Sequence, residues 1–208
     1  MNALADLWNW RRCTANLYHA IRQAADPMVA WALWRAERDR MARTHPQSPI
    51  DAEADFSGLQ FFHYEPELRF LVGLKDVASS VQEEAAAGED GIVRLRPFAR
   101  TEGLATALGG ELTLYWIMGY GGGVFLPFAD KTNGGETYGG GRYLLDTIKG
   151  ADLGPVHPDG ALLLDFNFSY FPSCAYSSRY VCPLPPPANR LPRPVRAGER
   201  LRARPEPR

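Results

Sequence analysis

The residues best suited to chemistry lie in one glycine-rich stretch, which runs from Gly119 to Arg142. Nine of its residues are glycine, out of twenty in the whole protein. Glycine adopts positive φ and lets the backbone approach another group closely, at an entropic cost. The polar side chains between these glycines are Asp130, Lys131, Thr132, Glu136, Thr137, Tyr138 and Arg142. Because glycines recur between polar side chains despite this entropic cost, we predict a functional site at these loops.

A second polar group lies on a predicted strand over residues 161–168. Alternation along the strand places Asp165 and Asn167 on one face. A buried polar group without a partner costs about 1–3 kcal/mol, so both side chains need partners. We expect Arg142 to pair with Asp165, since its planar donor fork matches a carboxylate. Glu136 is the competing partner for Arg142.

Two interpretations of this combined cluster stay open. In the first, it forms a pocket in which Glu136 or Asp165 is a general acid/base catalyst and Arg142 binds an anionic group of a small molecule. Acid/base or hydrolytic chemistry fits these groups better than redox chemistry. In the second, the protein is a non-catalytic structural or interaction module, and the cluster only stabilises the fold. The ligand-binding residues of the first interpretation are Asp130, Thr132, Tyr138, Arg142, Asn167 and Tyr170, with a further hydroxyl from Tyr176.

The residues indicate no particular cofactor, and we predict no metal site. Asp130, Glu136, Asp165 and Asn167 would form an all-oxygen set suited to Mg²⁺ or Ca²⁺, which is a third interpretation of the cluster. The four histidines are scattered and none pairs with a cysteine at zinc-ligand spacing. The glycine-rich stretch is neither a phosphate loop nor a dinucleotide fingerprint, because it lacks a GK[ST] sequence and precedes a strand.

Composition places the chain among ordinary globular proteins. Of its 208 residues, 45% are apolar and 23% are charged. The net charge of −1 provides no field that would attract nucleic acid or a membrane surface. We found no apolar run long enough to span a membrane and no signal-peptide pattern, so we expect a soluble cytoplasmic protein. Cys174 and Cys182 either form a disulfide or are two buried thiols, and the oligomeric state is left open.

The coarse element pattern favours a mainly β fold with a helical beginning. Residues 3–43 predict two helices, the second capped by Asp26 and opened by Pro27. Residues 45–58 predict a loop, and the polar stretch 78–91 predicts an exposed loop or a loosely formed helix. The predicted strands are 59–63, 68–74, 92–98, 111–118, 123–128, 142–145 and 161–168. Short strands with glycine-rich turns and no intervening helices favour an antiparallel β-barrel or sandwich.

The C-terminal part of the sequence differs from the rest. Residues 183–194, PLPPPANRLPRP, predict an extended strap without internal hydrogen bonds. Seven arginines and two glutamates follow from Arg190 to Arg208. We therefore divide the chain into a helical segment over 1–45, a β-rich domain over 46–197 and a disordered basic tail over 198–208.

Several long motifs resemble those of the bacterial and archaeal domain of unknown function sixteen-eighty-four. These motifs are GGGVFLPFADKTNGGETYGGGRYLLD, LLLDFNFSYFPSCAY and CPLPPPANRLPRPVRAGE, with WALWRAERDRM, SPI and FSGLQFFHYEPELRF upstream. The resemblance covers residues 30–200. One departure is FSYFPSCAY, where we expect the family to have an alanine-tyrosine-asparagine-proline pattern, so that Phe171 alters one edge of a pocket. The resemblance implies a compact β-rich domain with a helical lead-in, and it carries no activity.

Overall fold

The protein folds as a nearly closed antiparallel β-barrel with an N-terminal helical segment and a C-terminal strap, which confirms the predicted fold class. The computed structural model describes residues 2–51, 54–78, 82–88, 91–154, 157 and 159–202. The helices are α1 (Ala3–Gln23), α2 (Pro27–Thr44) and the short α3 (Ala105–Leu108). The strands are β1 (Gln60–Phe61), β2 (Arg69–Asp76), β3 (Glu83–Ala86), β4 (Ile92–Glu102), β5 (Thr113–Ile117), β6 (Gly123–Phe128), β7 (Arg142–Asp146), β8 (Leu162–Asp165) and β9 (Glu199–Arg200).

The two long helices pack on the barrel through aromatic contacts. The predicted cap of α2 is confirmed, because the Asp26 carboxylate accepts a hydrogen bond from the backbone N–H of Met28 at 2.8 Å. Trp34 of α2 is fully buried, and its ring meets the rings of Phe61 and Phe168 edge-on at 5.4 and 5.5 Å. None of the described helices combines the length and apolar character needed to cross a membrane.

The main sheet runs in the order β7-β6-β5-β4-β2-β8, with β3 beside β4. Its two outer strands, β7 and β8, are brought together by one backbone bridge. Tyr143 of β7 and Tyr170, which follows β8, exchange N–H···O hydrogen bonds of 2.9 and 3.0 Å. This bridge closes the seam of the barrel, and α1 and α2 lie close to it.

The prediction of an exposed loop or loosely formed helix over residues 78–91 is wrong for residues 83–86, which form strand β3. Glu83–Ala86 pairs with β4, and Ala85 packs against the smaller of two apolar clusters. The Tyr115 hydroxyl donates to the Glu83 carboxylate at 3.1 Å. An outer strand leaves one face in solvent, so a polar, alanine-rich sequence can still pair through its backbone. Residues 79–81, 89 and 90 lie outside the described part.

The C-terminal chain is part of the folded domain beyond the predicted boundary at residue 198. Glu199–Arg200 pairs with Gln60–Phe61 as β9 and β1, and the Glu199 side chain is buried. The prediction that a disordered tail begins at residue 198 is therefore wrong for residues 198–202. These residues are part of the fold because the Glu199 side chain has buried hydrogen-bond partners, which are described below. Residues 203–208 lie outside the described part.

Candidate functional site

The glycine-rich loops enclose a buried ion pair between Arg142 and Asp130. Arg142 Nη2 lies 2.7 Å from Asp130 Oδ2, and neither side chain is exposed. Asp130 Oδ1 also accepts from the backbone N–H groups of Thr132 at 2.8 Å and Val195 at 3.1 Å. The Arg142 guanidinium donates further to the carbonyls of Val195 and Ala197, and burial lowers its pKa. The two side chains therefore occupy the space between the loops, and their contacts with Val195 and Ala197 attach the strap to the loops.

The predicted partners of Arg142 lie elsewhere, so both of its predicted pairings are wrong. Glu136 forms a partly exposed ion pair with Arg196, whose Nε donates to both carboxylate oxygens at 2.9 and 3.0 Å. Asp165 lies beside Arg69. The reason is the register of the β6–β7 hairpin, in which Phe128 pairs with Arg142 and thereby brings Asp130 to the guanidinium.

The all-oxygen set of the third interpretation does not assemble, because Asp130, Glu136 and Asp165 each have a separate cationic partner. Among the residues that the structure describes, no three histidine, cysteine, aspartate or glutamate side chains are placed to hold a metal ion.

Two further predicted ligand-binding residues stabilise the loops. The hydroxyls of Thr132 and Thr137 are hydrogen-bonded to each other at 2.8 Å in a buried position. The Tyr138 hydroxyl donates to Cys174 Sγ at 3.6 Å, and this contact, with burial, raises the pKa of Tyr138 to about 12. Both side chains are thus satisfied within the protein, as in the interpretation of a structural cluster.

Asp165 and Asn167 lie at the end of β8, where the chain leaves the predicted strand for a single 3₁₀ turn. Asp165 Oδ1 accepts from the backbone and side-chain nitrogens of Asn167 at 3.0 and 2.8 Å. Asp165 Oδ2 is buried, lies 3.5 Å from Arg69 Nε and has no hydrogen-bond partner in the described part of the chain. Burial raises the pKa of Asp165. This carboxylate lines a mainly apolar cleft of about 340 Å³, together with His157.

Asp165→Asn tests the raised pKa of this carboxyl. A folded-state pKa above the ordinary value of 3.8 gives a stabilising contribution that is present below about pH 4 and is lost as the pH rises through the folded-state pKa. We therefore expect the unfolding free energy of the wild type, relative to the variant, to be largest near pH 4 and to fall toward pH 7. Thermal midpoints of both proteins between pH 4 and pH 7 measure this difference in stability. A difference that grows with pH would contradict the raised pKa.

A second cavity lies where α1 and α2 meet the seam of the barrel, and we call it the tyrosine cavity. Its volume is about 100 Å³, and four tyrosines line it: Tyr18, Tyr143, Tyr170 and Tyr176. Of the residues predicted to form the catalytic and ligand-binding set, Tyr170 lies among the described residues of its wall, as does Tyr176, which was predicted to add a hydroxyl. Phe171 also lies in the wall, at the position where the sequence departs from the expected family pattern.

Arg38 of α2 provides the cavity with a fixed guanidinium. Its Nη2 lies 3.1 Å from Glu199 Oε2, and its Cζ lies 4.6 Å from the centre of the Tyr170 ring. Glu199 is buried behind the wall and also accepts from the Phe171 backbone N–H at 2.9 Å and from the Tyr176 hydroxyl. Burial raises the pKa of Glu199. Arg38 Nε is buried and has no hydrogen-bond partner in the described chain, as is also true of the Nε atoms of Arg35 and Arg142.

Asp146, at the end of β7, provides the cavity with a carboxylate. Its Oδ2 lies 3.6 Å from Lys149 Nζ, and the Asp146 side chain is 3% exposed whereas that of Lys149 is 60% exposed. Burial raises the pKa of Tyr18 to about 12, while Arg38 lowers it and Asp146 raises it. The same two charges act on Tyr170. Arg38 and Asp146 line the cavity together with this pair of tyrosines.

The sequence interpretation missed Arg38, Asp146 and Glu199. Arg38 lies among other charged residues of a helix, and Glu199 lies in the stretch predicted as a disordered tail. Asp146 offered a signal, because it ends the RYLLD strand with a carboxylate after three residues that are all buried: Tyr143, Leu144 and Leu145.

Comparisons with known proteins agree with the fold. The family model described as "Protein of unknown function (DUF1684)" matches residues 54–200. The chain is also similar to the solution NMR structure of the uncharacterized protein from gene locus rrnAC0354 of Haloarcula marismortui, with 33% sequence identity and a TM-score of 0.53. That match covers 80% of this chain and 90% of the other. No match was found among curated proteins.

Proposed function

This chain belongs to the DUF1684 family, and we propose that it binds a small organic anion in the tyrosine cavity. The observation that carries the proposal is Arg38, whose side chain is 18% exposed and lines the cavity, while its Nη2 is held by the buried Glu199. A guanidinium has five N–H donors in a fork that matches a carboxylate. Its contacts with Glu199 and Tyr170 fix that fork in place before a ligand arrives.

The cavity has the lining of a site for a small molecule. One water needs roughly 10–15 Å³ of comparable volume, so the cavity of about 100 Å³ has room for several waters, which a ligand would displace. Leu17, Met41 and Ile50 are apolar residues of the wall, which they form together with the four tyrosines. Mainly apolar walls with a few fixed polar groups are typical of ligand pockets.

The proposal moves the site away from the glycine-rich loops. Asp130 and Arg142 form a fully buried ion pair there, which favours the structural interpretation for that cluster, although Arg142 Nε has no hydrogen-bond partner in the described chain. We propose binding without catalysis, because Glu136 is a partly exposed ion-pair partner and Asp165 lines a different cleft. We also propose a cytoplasmic location, which the three free cysteines support, since reduced thiols are usual in that compartment.

A calorimetric titration with 4-methylpentanoate, an apolar chain with one carboxylate, tests the proposal. We expect the wild type to bind it and Arg38→Lys to bind it at least tenfold more weakly. Lysine retains the charge beside Glu199 but lacks the planar fork. The matched control is Arg35→Lys, also on α2, whose guanidinium stacks on Trp31 at 4.0 Å and is not among the described residues of the cavity wall. No binding by the wild type, or equal binding by Arg38→Lys, would contradict the proposal.

A further inference from the structure

We propose that the molecule bound in the tyrosine cavity is a zwitterion, with a carboxylate at Arg38 and an ammonium group at Asp146. Its class is the free α-amino acids with an apolar side chain. This inference rests on the proposed function and adds a second recognition point to it.

The charges around the cavity balance one another. Arg38 is paired with Glu199, and Lys149 lies beside Asp146, so the two positive and two negative groups sum to zero. A carboxylate ligand without an amine can bind at Arg38 but changes this sum to −1, so it binds more weakly than a zwitterion does. A zwitterion adds no net charge, while each of its ends meets an opposite charge.

Asp146 is the acceptor that this cavity offers to an ammonium group. Its Oδ1 already accepts from the backbone N–H of Lys149 at 3.3 Å. Its Oδ2 lies 3.6 Å from Lys149 Nζ, which is beyond a good hydrogen bond. Because Lys149 is largely in solvent, this contact is weak and a ligand can replace it at little cost. The ammonium of the ligand would then give the buried carboxylate its missing donor.

The two charges line the same cavity. Arg38 and Asp146 both belong to its wall, together with Tyr18 and Tyr170. The Tyr18 hydroxyl accepts from Trp34 Nε1 at 3.3 Å, which holds it in place. The remaining wall is largely apolar and suits an aliphatic side chain: Leu17, Met41, Ile50 and Leu59.

Three probes with the same aliphatic body separate the two charged ends. L-leucine carries both groups, 4-methylpentanoate lacks the amine and 3-methylbutylamine lacks the carboxylate. By calorimetry on the full-length wild type at neutral pH, we expect leucine to bind at least tenfold more tightly than either analogue. In Asp146→Asn, the advantage of leucine over 4-methylpentanoate should disappear.

The outcomes distinguish this inference from the proposed function. If leucine and 4-methylpentanoate bind the wild type equally, the inference of a zwitterionic ligand is wrong, and the proposal of an anion site is supported. If neither binds, both proposals are wrong. If 3-methylbutylamine binds as tightly as leucine, the carboxylate contact with Arg38 is wrong.

A second variant covers the case in which Asp146→Asn does not fold. Lys149→Gln removes the competing cation from an exposed position, so the fold should be kept. We expect this variant to bind leucine about threefold or more tightly than the wild type does. An unchanged or weaker leucine affinity would overturn the role of Asp146.

Discussion

Asp130→Asn is expected to lower the unfolding free energy by about 3–5 kcal/mol, because it leaves the charge of Arg142 buried without its partner. In a domain of this size, the loss corresponds to a thermal midpoint roughly 6–20 °C lower. Asparagine keeps an oxygen for the N–H groups of Thr132 and Val195, so the change acts mainly on the charge. Its amide also places a donor against the donors of Arg142. Thermal unfolding at neutral pH measures the effect.

The matched control for this variant is Glu136→Gln, which removes a carboxylate from the same loops. Its partner Arg196 is exposed, and exposed ion pairs contribute about 0–1 kcal/mol. The thermal midpoint should therefore fall by no more than about 4 °C. Asp130→Asn combined with Arg142→Met should cost less than the sum of the single changes, since no charge is left unpaired. A loss below about 1 kcal/mol for Asp130→Asn alone would contradict the importance of the pair.

Asn189→Ala is expected to cost about 3 kcal/mol or more, because its buried side chain satisfies three backbone groups at once. It accepts from the N–H of Thr113 at 2.7 Å and donates to the carbonyls of Thr113 and Pro127 at 2.9 and 2.8 Å. These bonds hold the strap against β5 and β6. Urea unfolding measures the change in free energy.

The control for the strap is Gln60→Ala, which removes an exposed amide that donates to Gly58. Its effect should stay within about 0.5 kcal/mol, as is usual for surface positions. Asn189→Asp should cost at least as much as Asn189→Ala, because it sets a carboxylate against two carbonyls. If Asn189→Ala cost less than about 1 kcal/mol, the strap would be only loosely attached to the barrel.

The fold could be predicted because its signals are local. Asp26 and Pro27 mark the start of α2 within a few residues, and alternating apolar positions with glycine turns mark the strands. The partner of Arg142 could not be predicted, because it depends on the register of β6 and β7. A register irregularity between Leu126 and Pro127 shifts that pairing, and the sequence pattern does not reveal it.

The tyrosine cavity could be predicted only in part, since its groups come from distant segments. Arg38 comes from a helix, Asp146 from the end of a strand and Glu199 from the C-terminal chain. Their proximity depends on how the helices and the strap pack on the barrel. Tyr170 is predicted as a ligand-binding residue for its hydroxyl, whereas its position in the fold follows from the bridge to Tyr143.

The most direct test of ligand binding in the tyrosine cavity is an NMR titration of the ¹⁵N-labelled wild type with 4-methylpentanoate. We predict chemical-shift changes at the Trp10 indole, the Arg38 side chain and the Phe171 amide, with the amides of Thr132 and Glu136 unchanged. Changes confined to the glycine-rich loops, with none at the cavity, would contradict the proposed site and would return the function to the loops.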